Sequence, residues 1–343
     1  MNYAEAWRRL MAASRILMVT HVKPDGDALG SLAAMAEILT ARGKQVRVVL
    51  SSLPPAKYLC IPGAERFEIA GPGDAADAPA GDLWDLVLVL DTCTWDQLAG
   101  LGPLVRRHAG RILVIDHHLS CEDLGDEKMI EPEAAAVGQI VLRLLEANGA
   151  AITPTVATAL FVALASDTGW FRFANVSAEV YRQAARLQEC GAAPDVLFDK
   201  LYQGESPAKM RLIGEALAAL AVSPEGDVCW CSLTREMFER TGAGPNDTEN
   251  IVDECQRVAG VAVGLLFVEQ EPPRDATRGG EPVEPRLVRV SLRSKREVDV
   301  AAVAAQFGGG GHARAAGCTL RTGLAEARDA VLSAVYRALG RAD

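Results

Sequence analysis

Two stretches of this chain are apolar without interruption, and each runs straight into an acidic residue. Leu86–Leu90 (LVLVL) ends at Asp91, and Ile112–Ile115 (ILVI) ends at Asp116. A strand with one wet face alternates apolar and polar side chains. A run with no polar position needs cover on both faces, which is the situation of an inner strand in a parallel sheet. Ile16–Thr20 is a third such run, leading into His21, and Val46–Leu50 reads as a further strand. Helical patterns cover Ala28–Arg42, Val137–Asn148, Pro154–Ser166 and Ala178–Cys190. Strands alternating with helices predict an α/β domain, a doubly wound and mostly parallel sheet over residues 1–190.

Residues 191–220 read as a helical connection, and 221–343 as a smaller α+β domain, with a cleft expected between the two domains. The second half offers strands at Val228–Leu233, Val261–Val268 and Leu287–Leu292, and helices at Glu249–Val258, Val300–Gln306 and Leu324–Leu339. Gln270–Pro285 is rich in Pro, Gly and charge and reads as a mobile surface loop.

At 343 residues the chain can bury two cores, and an apolar fraction of 49% beside 23% charge excludes global disorder. No apolar run reaches the roughly 18 residues of a membrane span. Glu5, Arg8, Arg9 and Arg15 argue against a secretory signal, so a cytoplasmic protein without a membrane partner is expected. The 8 cysteines are scattered, with Cys229 and Cys231 the only close pair, and an all-reduced state is the simplest expectation. A net charge of −10 without Lys/Arg blocks speaks against long nucleic acid as a partner. A nucleotide substrate would be short and held locally.

In an open α/β sheet, ligands bind beyond the carboxyl ends of the strands. His21, Asp25 and Asp27 follow the first run, Asp91 the second, and Asp116-His117-His118 the third. Asp167, in Ser166-Asp167-Thr168-Gly169, closes a helical pattern. Singly, each Asp reads as a cap or turn residue and each His as a structural hydrogen-bonding group. Jointly, three of only 5 histidines lie beside aspartates at strand ends, which chance does not readily arrange. Carboxylates crowded in one crevice repel one another unless cations neutralise them. Mixed Asp/His ligation without Cys suits two Mn²⁺, with Mg²⁺ or Co²⁺ as alternatives. Two such ions can activate a water and clamp the oxygens of an in-line phosphoryl displacement. His108, in a polar helix-like stretch, reads as a surface residue.

His21-x3-Asp25-x-Asp27, Asp91, Asp116-His117-His118 and Asp167-Thr168-Gly169 resemble, in order, the four motifs of the DHH phosphoesterase superfamily. Gly308-Gly309-Gly310-Gly311-His312-Ala-Arg314 resembles the glycine-histidine motif of the DHH-associated domain. Together, at this length, they are similar to the NrnA-type nano-RNase/pAp phosphatases, over nearly the whole chain. The resemblance implies that His21, Asp25 and Asp91 hold one Mn²⁺, and that Asp27, Asp91, His117 and Asp167 hold the other. Asp116 would orient a neighbouring ligand, and His118 would touch the scissile phosphate or steady the ligand loop.

Four glycines can turn their amides towards one anion, with His312 and Arg314 adding a ring and a cation. The alternative is a hairpin or linker. Arg293 and Ser294 resemble a further substrate position, the alternative being a solvated strand end. The implied activity is a metal-dependent phosphodiesterase cutting oligoribonucleotides of about two to five nucleotides, such as pApA, to mononucleotides, with pAp phosphatase activity beside it. A homodimer is also implied. The rivals are a cyclic-dinucleotide phosphodiesterase, a RecJ-type single-strand exonuclease, a family II pyrophosphatase, or a nucleotide-binding sensor without catalysis. Every expected ligand is present, which argues against the last.

Overall fold

In this computed structural model, residues 1–71, 84–119, 121–270, 277–278, 281–282, 287–295 and 298–341 are described. The chain divides into two compact units, Met1–Gly204 and Glu205–Asp343. Strands β1 (Arg15–Val19), β2 (Gln45–Leu50), β3 (Glu68–Ile69), β4 (Leu86–Leu90), β5 (Ile112–Asp116) and β6 (Glu127–Ile130) build the sheet of the first unit. They lie in the order β3-β2-β1-β4-β5-β6, and each neighbouring pair is parallel.

The absence of polar positions in the central strands now has its cause. Ile16, Met18, Leu86, Leu88, Leu90 and Ile115 enter one core, while Leu17, Val19, Val87, Val89 and Val114 enter another on the opposite face. Helices α1 (Tyr3–Ala12), α2 (Gly26–Ala41), α3 (Gly102–Arg106), α4 (Val137–Ala147), α5 (Pro154–Asp167), α6 (Ala178–Glu189) and α7 (Pro194–Tyr202) follow in chain order. Leu104 and Val105 of α3 close the second core, and residues of the other six close the first. The doubly wound expectation therefore holds. The chain runs outwards from β1 to β3, then resumes on the other side at β4. The crevice of such a reversal lies between the carboxyl ends of β1 and β4.

The second unit comprises α8 (Pro207–Ala218), β7 (Ala221–Val222), β8 (Val228–Leu233), α9 (Arg235–Thr241), α10 (Ile251–Gln256) and β9 (Val263–Gln270). There follow the short pair β10 (Thr277–Arg278) and β11 (Glu281–Pro282), then β12 (Leu287–Ser294), α11 (Val300–Ala305), β13 (Gly310–His312), β14 (Ala315–Leu320) and α12 (Leu324–Ala338). Its main sheet has the order β13-β14-β12-β9-β8-β7, with β8 and β9 parallel and the other pairs antiparallel. Val263, Leu265 and Phe267 of β9 pack with α11 and α12, and Leu266 and Val268 pack with α8 and α10. Within the expected connection, α7 gives Leu197 and Leu201 to the first unit's core, and α8 gives Leu212 and Ala216 to the second's. Apart from β10 and β11, the Gln270–Pro285 loop lies largely outside the described residues.

His108 departs from expectation. It is buried, its Nε2 accepts from the Trp84 amide at 3.1 Å, and its Nδ1 meets the Leu104 carbonyl at 3.0 Å. Its polar neighbours suggested a surface position, but the turn that follows α3 aims the ring back at Leu104 and Trp84.

The α2–α5 contact sets the spacing of the site. A Cβ on Gly30 would stand 2.4 Å from the Ala159 carbonyl oxygen and 3.0 Å from the Ala163 side chain. Helix propensity alone would make Gly30→Ala stabilising by about 1 kcal/mol. Overpacking here costs about 1–3 kcal/mol and wins. Gly30→Ala is expected to lower stability in urea unfolding, and a gain would show that α2 and α5 are free to separate.

Candidate metal centre

The carboxyl ends of β1, β4 and β5 bring His21, Asp91 and Asp116-His117-His118 together, and α2 and α5 add Asp25, Asp27 and Asp167. Among the described residues, three His/Asp groupings could hold an ion: His21–Asp25–Asp91, Asp27–His117–Asp167 and Asp91–His117–His118. Asp91 belongs to two of them, and so does His117.

Local folding explains how each group is presented. Asp25 is the N-cap of α2, its Oδ1 accepting from the amides of Asp27 at 3.0 Å and Ala28 at 3.1 Å. Asp91 has φ 64, the left-handed region that non-glycine residues rarely enter. Strain of this kind persists only where surrounding structure imposes it, and it gathers at functional sites. Here the Asp91 amide is still bonded to the Ile115 carbonyl at 3.1 Å.

Asp27 is fully buried and joins segments far apart in sequence. Its Oδ2 accepts from the Val137 amide at 2.6 Å, and its Oδ1 from the Gly138 amide at 2.8 Å and the Ser31 hydroxyl at 3.2 Å. Helix α4 begins at Ala136-Val137 without a side-chain cap of its own. Asp27 supplies that cap, and the helix end supplies partial positive charge in return. The sequence carried a trace of this in Ala134-Ala-Ala-Val137, a helix start with no local acceptor.

The histidines are oriented by backbone carbonyls, which can only accept. His117 Nδ1 therefore donates to the Ala134 carbonyl at 3.1 Å, leaving Nε2 bare when the ring is neutral. That Nε2 lies 3.3 Å from Asp167 and 3.7 Å from Asp91. His21 repeats the pattern, with Nδ1 on the Val22 carbonyl at 2.9 Å and Nε2 3.4 Å from Asp91 Oδ2. His118 differs. Its Nδ1 is held by Asp116 Oδ1 at 2.8 Å and its side chain is 55% exposed, so Nε2 is the polar atom it has left to offer.

Three buried polar atoms at this site lack hydrogen-bond partners: Asp91 Oδ1, Asp116 Oδ2 and His117 Nε2. Burial, then the charges of Asp167 and Asp25, raise the Asp27 carboxyl well above the usual range. Burial and four neighbouring carboxylates, Asp27 first, do the same to Asp91. Burial alone would lower His117, but the Asp167 carboxylate 3.3 Å from its Nε2, with the charge of Asp27 and the Ala134 carbonyl, brings it up to about 9. Burial would raise Asp116, yet the hydrogen bond and charge of His118 and two backbone amides hold it below the usual range. Oδ1 of Asp116 is thus satisfied by its own loop, whereas Asp27 and Asp91 are carboxylates in need of positive charge. This donor set fits divalent cations, which would remove the repulsion and occupy the bare atoms.

Two loops of the site are also joined by a bond that the sequence did not suggest. Cys93, two residues after Asp91, and Cys121, three after His118, form a disulfide. The all-reduced expectation fails because β4 and β5 are neighbours, so their exit loops bring together cysteines 28 residues apart.

The glycine run lies in the second unit. The Gly308 and Gly309 amides donate to the Ala305 and Ala304 carbonyls at 3.1 and 3.0 Å, closing α11, and so already have partners. Gly310, Gly311 and His312 form β13, paired with Gly317, Ala316 and Ala315. A Cβ on Gly311 would stand 2.5 Å from the Ala315 carbonyl oxygen, so glycine is needed for the hairpin itself. The side chain of His312 lies outside the described residues. Arg293 pairs with Asp253 at 3.2 Å, and the Ser294 hydroxyl donates to the Val298 carbonyl at 2.7 Å. Arg314 donates to that same carbonyl at 3.1 Å, so Arg293, Ser294 and Arg314 gather around one end of β12.

Because His117 carries a proton up to about pH 9 in the ion-free protein, and Asp27 and Asp91 hold theirs abnormally late, an incoming divalent ion must displace protons. Affinity should therefore rise with pH towards 9, by at most roughly tenfold per pH unit for each proton displaced. Calorimetric titration with Mn²⁺ in buffers of different ionisation enthalpy should register proton release at pH 7. Binding without release would contradict the assigned protonation.

Known proteins resemble this chain over nearly its whole length. Residues 15–164 match the DHH family, N-terminal domain, and residues 231–341 match the DHHA1 domain. The bifunctional oligoribonuclease and PAP phosphatase NrnA of Thermus thermophilus is 32% identical over 328 residues, covering 95% of this chain and 91% of that protein. Its counterpart from Bacillus subtilis is 23% identical, covering 92% of each chain. The crystal structure of an exopolyphosphatase-related protein from Bacteroides fragilis superposes with a TM-score of 0.86 at 25% identity, over 98% of this chain and 96% of that one. The chain belongs to the DHH family, as an NrnA-type phosphoesterase with a DHH domain followed by a DHHA1 domain.

Proposed function

We propose that this protein hydrolyses oligoribonucleotides of about two to five nucleotides, pApA among them, to mononucleotides, and removes the 3′-phosphate of pAp at the same site. The observation that carries the reading is the set of buried Asp91 and His117 atoms that lack hydrogen-bond partners among the described residues, beside the raised carboxyl of Asp27, at the carboxyl ends of β1, β4 and β5. His21, Asp25 and Asp91 would hold one Mn²⁺, and Asp27, Asp91, His117 and Asp167 the other. Bound ions would supply a nucleophilic water and charge neutralisation at phosphorus.

The chain's own groups do the rest. Asp116 fixes the His118 ring through Nδ1, so that the doubly protonated ring could donate from Nε2 to a phosphoryl oxygen. The orientation of Nε2 of His21 and His117 is set by their carbonyl partners, as second contacts of metal-binding histidines commonly are. In the second unit, Arg293, Ser294, Arg314, His312 and the backbone of Gly310 and Gly311 would bind a nucleotide's phosphate or base, while the Gly308 and Gly309 amides serve the end of α11. Both activities of the Thermus relative's name displace an ester oxygen from phosphorus, so one site can serve both. The net charge of −10 disfavours long strands. Among the described residues no helix is long and apolar enough to cross a membrane, in keeping with a proposed cytoplasmic location.

Hydrolysis with Mn²⁺ should be compared for pApA, pAp, cyclic di-AMP, pyrophosphate and a long single-stranded RNA. Turnover of pApA with little action on the long strand is expected. Cleavage confined to the cyclic dinucleotide, to pyrophosphate or to long RNA would overturn the substrate assignment. Asp91→Ala should reduce kcat/KM by about 10³-fold or more, roughly 4 kcal/mol of transition-state stabilisation, together with bound metal. A variant that keeps its activity would remove Asp91 from the site. His312→Ala should raise KM more than it lowers kcat, and an unchanged KM would contradict a substrate contact.

A further inference from the structure

The disulfide has no part in the hydrolysis described above, yet it lies where that chemistry is organised. Cys93 leaves β4 just after Asp91, and Cys121 leaves β5 just after the histidine pair. Cys93 is 1% exposed, packed with Leu98, Val87 and Val89, whereas Cys121 faces solvent. The Lys128 ammonium stands 3.6 Å from the Cys121 sulfur, and it also donates to the Glu122 carbonyl. The thiolate is the form that reacts with oxidants, and the exposed Cys121 sulfur is the one that they can reach.

Noncovalent bonds hold the same two loops together. The Glu122 amide donates to the Cys93 carbonyl at 2.9 Å. The Trp95 amide and indole donate to Glu122 at 2.9 Å and Asp123 at 2.7 Å. The Cα atoms of the two cysteines are 4.7 Å apart, within the span a disulfide accepts. With the sulfurs reduced, these bonds would keep the loops docked and the thiols within reach of each other. One sulfur is open to reagents, and its partner waits behind it.

We propose that Cys93 and Cys121 are a reversible oxidation site that sets how firmly the Asp91 and His117 loops hold their divalent ions. With hydrogen peroxide as oxidant, the Cys121 thiolate attacks one peroxide oxygen. The O–O bond breaks, hydroxide leaves, and Cys121 becomes a sulfenic acid. The Cys93 thiol then attacks the Cys121 sulfur, the S–O bond breaks and water is released. Two thiols supply the two electrons that peroxide accepts, and the products are one disulfide and two waters. A dithiol reductant reverses the step by exchange, entering at the exposed Cys121 sulfur. The oxidised form ties the loop bearing Asp91 to the loop bearing His117. The reduced form leaves their spacing to the bonds of Glu122 and Trp95 with their partners.

The test uses the full chain, oxidised with peroxide or reduced with a phosphine, each then freed of reagent by gel filtration. Peptide mapping under non-reducing conditions should find Cys93 linked to Cys121 in the oxidised sample and separate in the reduced one. Free Mn²⁺, followed by its magnetic resonance signal in a titration without substrate, should show about three- to tenfold weaker binding after reduction. Cys121→Ser, at an exposed position, should bind Mn²⁺ as the reduced protein does whether or not peroxide is added. Failure to form the linked peptides would overturn the proposal, and so would equal Mn²⁺ affinity in the two forms or a peroxide response surviving in Cys121→Ser. These readouts need no substrate, so they stand apart from the question of which phosphoester is cut.

Discussion

The Asp27 carboxylate bonds to the amides of Val137 and Gly138, and through that contact the start of α2 is tied to the start of α4 across 110 residues. Each partner answers a need of the other. Helix α4 has no cap from its own Ala136, and Asp27 is shut off from solvent. A buried carboxylate without donors would cost several kcal/mol, and an uncapped buried helix end is a comparable liability. Gly138 belongs to the same arrangement, because a Cβ there would meet Ala163 of α5 at 2.5 Å. α2, α4 and α5 are held close at one point, and Asp25, Asp27 and Asp167 lie around it.

Against this tightly fitted apolar bed the site is electrostatically incomplete. One oxygen of Asp116 is satisfied by His118 and two amides, while Asp27 and Asp91 crowd other carboxylates and strain towards protonation. The same burial that makes the ion-free site unfavourable makes it selective for strong positive charge, since a cation in low dielectric is attracted more than in water. Rigid second contacts keep this from relaxing. Carbonyls of Ala134 and Val22 fix the two histidine rings, and the Asp91 backbone is pinned in a conformation it would not choose.

Much of this was legible in the residues. LVLVL and ILVI announced two-sided burial, and their terminal Asp residues announced a site, because apolar runs and strand ends are local properties. What escaped notice depended on neighbours distant in sequence. Asp27 as the cap of α4, the inward face of His108 and the meeting of Cys93 with Cys121 all follow from strand order. Gly308 and Gly309 show a different limit. A glycine run admits both a phosphate nest and a helix end, and only the hydrogen bonds to Ala304 and Ala305 reveal that two amides serve the helix.

The parallel order of the first sheet also has a consequence for the chain during synthesis. The candidate ligands extend from His21 to Asp167, and β1 receives its neighbour β4 only after β2 and β3 have been laid down on its other side. At about 5–20 residues per second, a ribosome takes roughly 7–30 s to pass from the first ligand to the last. Until Asp167 is made, the grouping of Asp27, His117 and Asp167 is incomplete, although His21, Asp25 and Asp91 are all present much earlier. A nascent chain of this protein therefore completes its candidate ion groupings in stages, the first when Asp91 is made and the last only with Asp167.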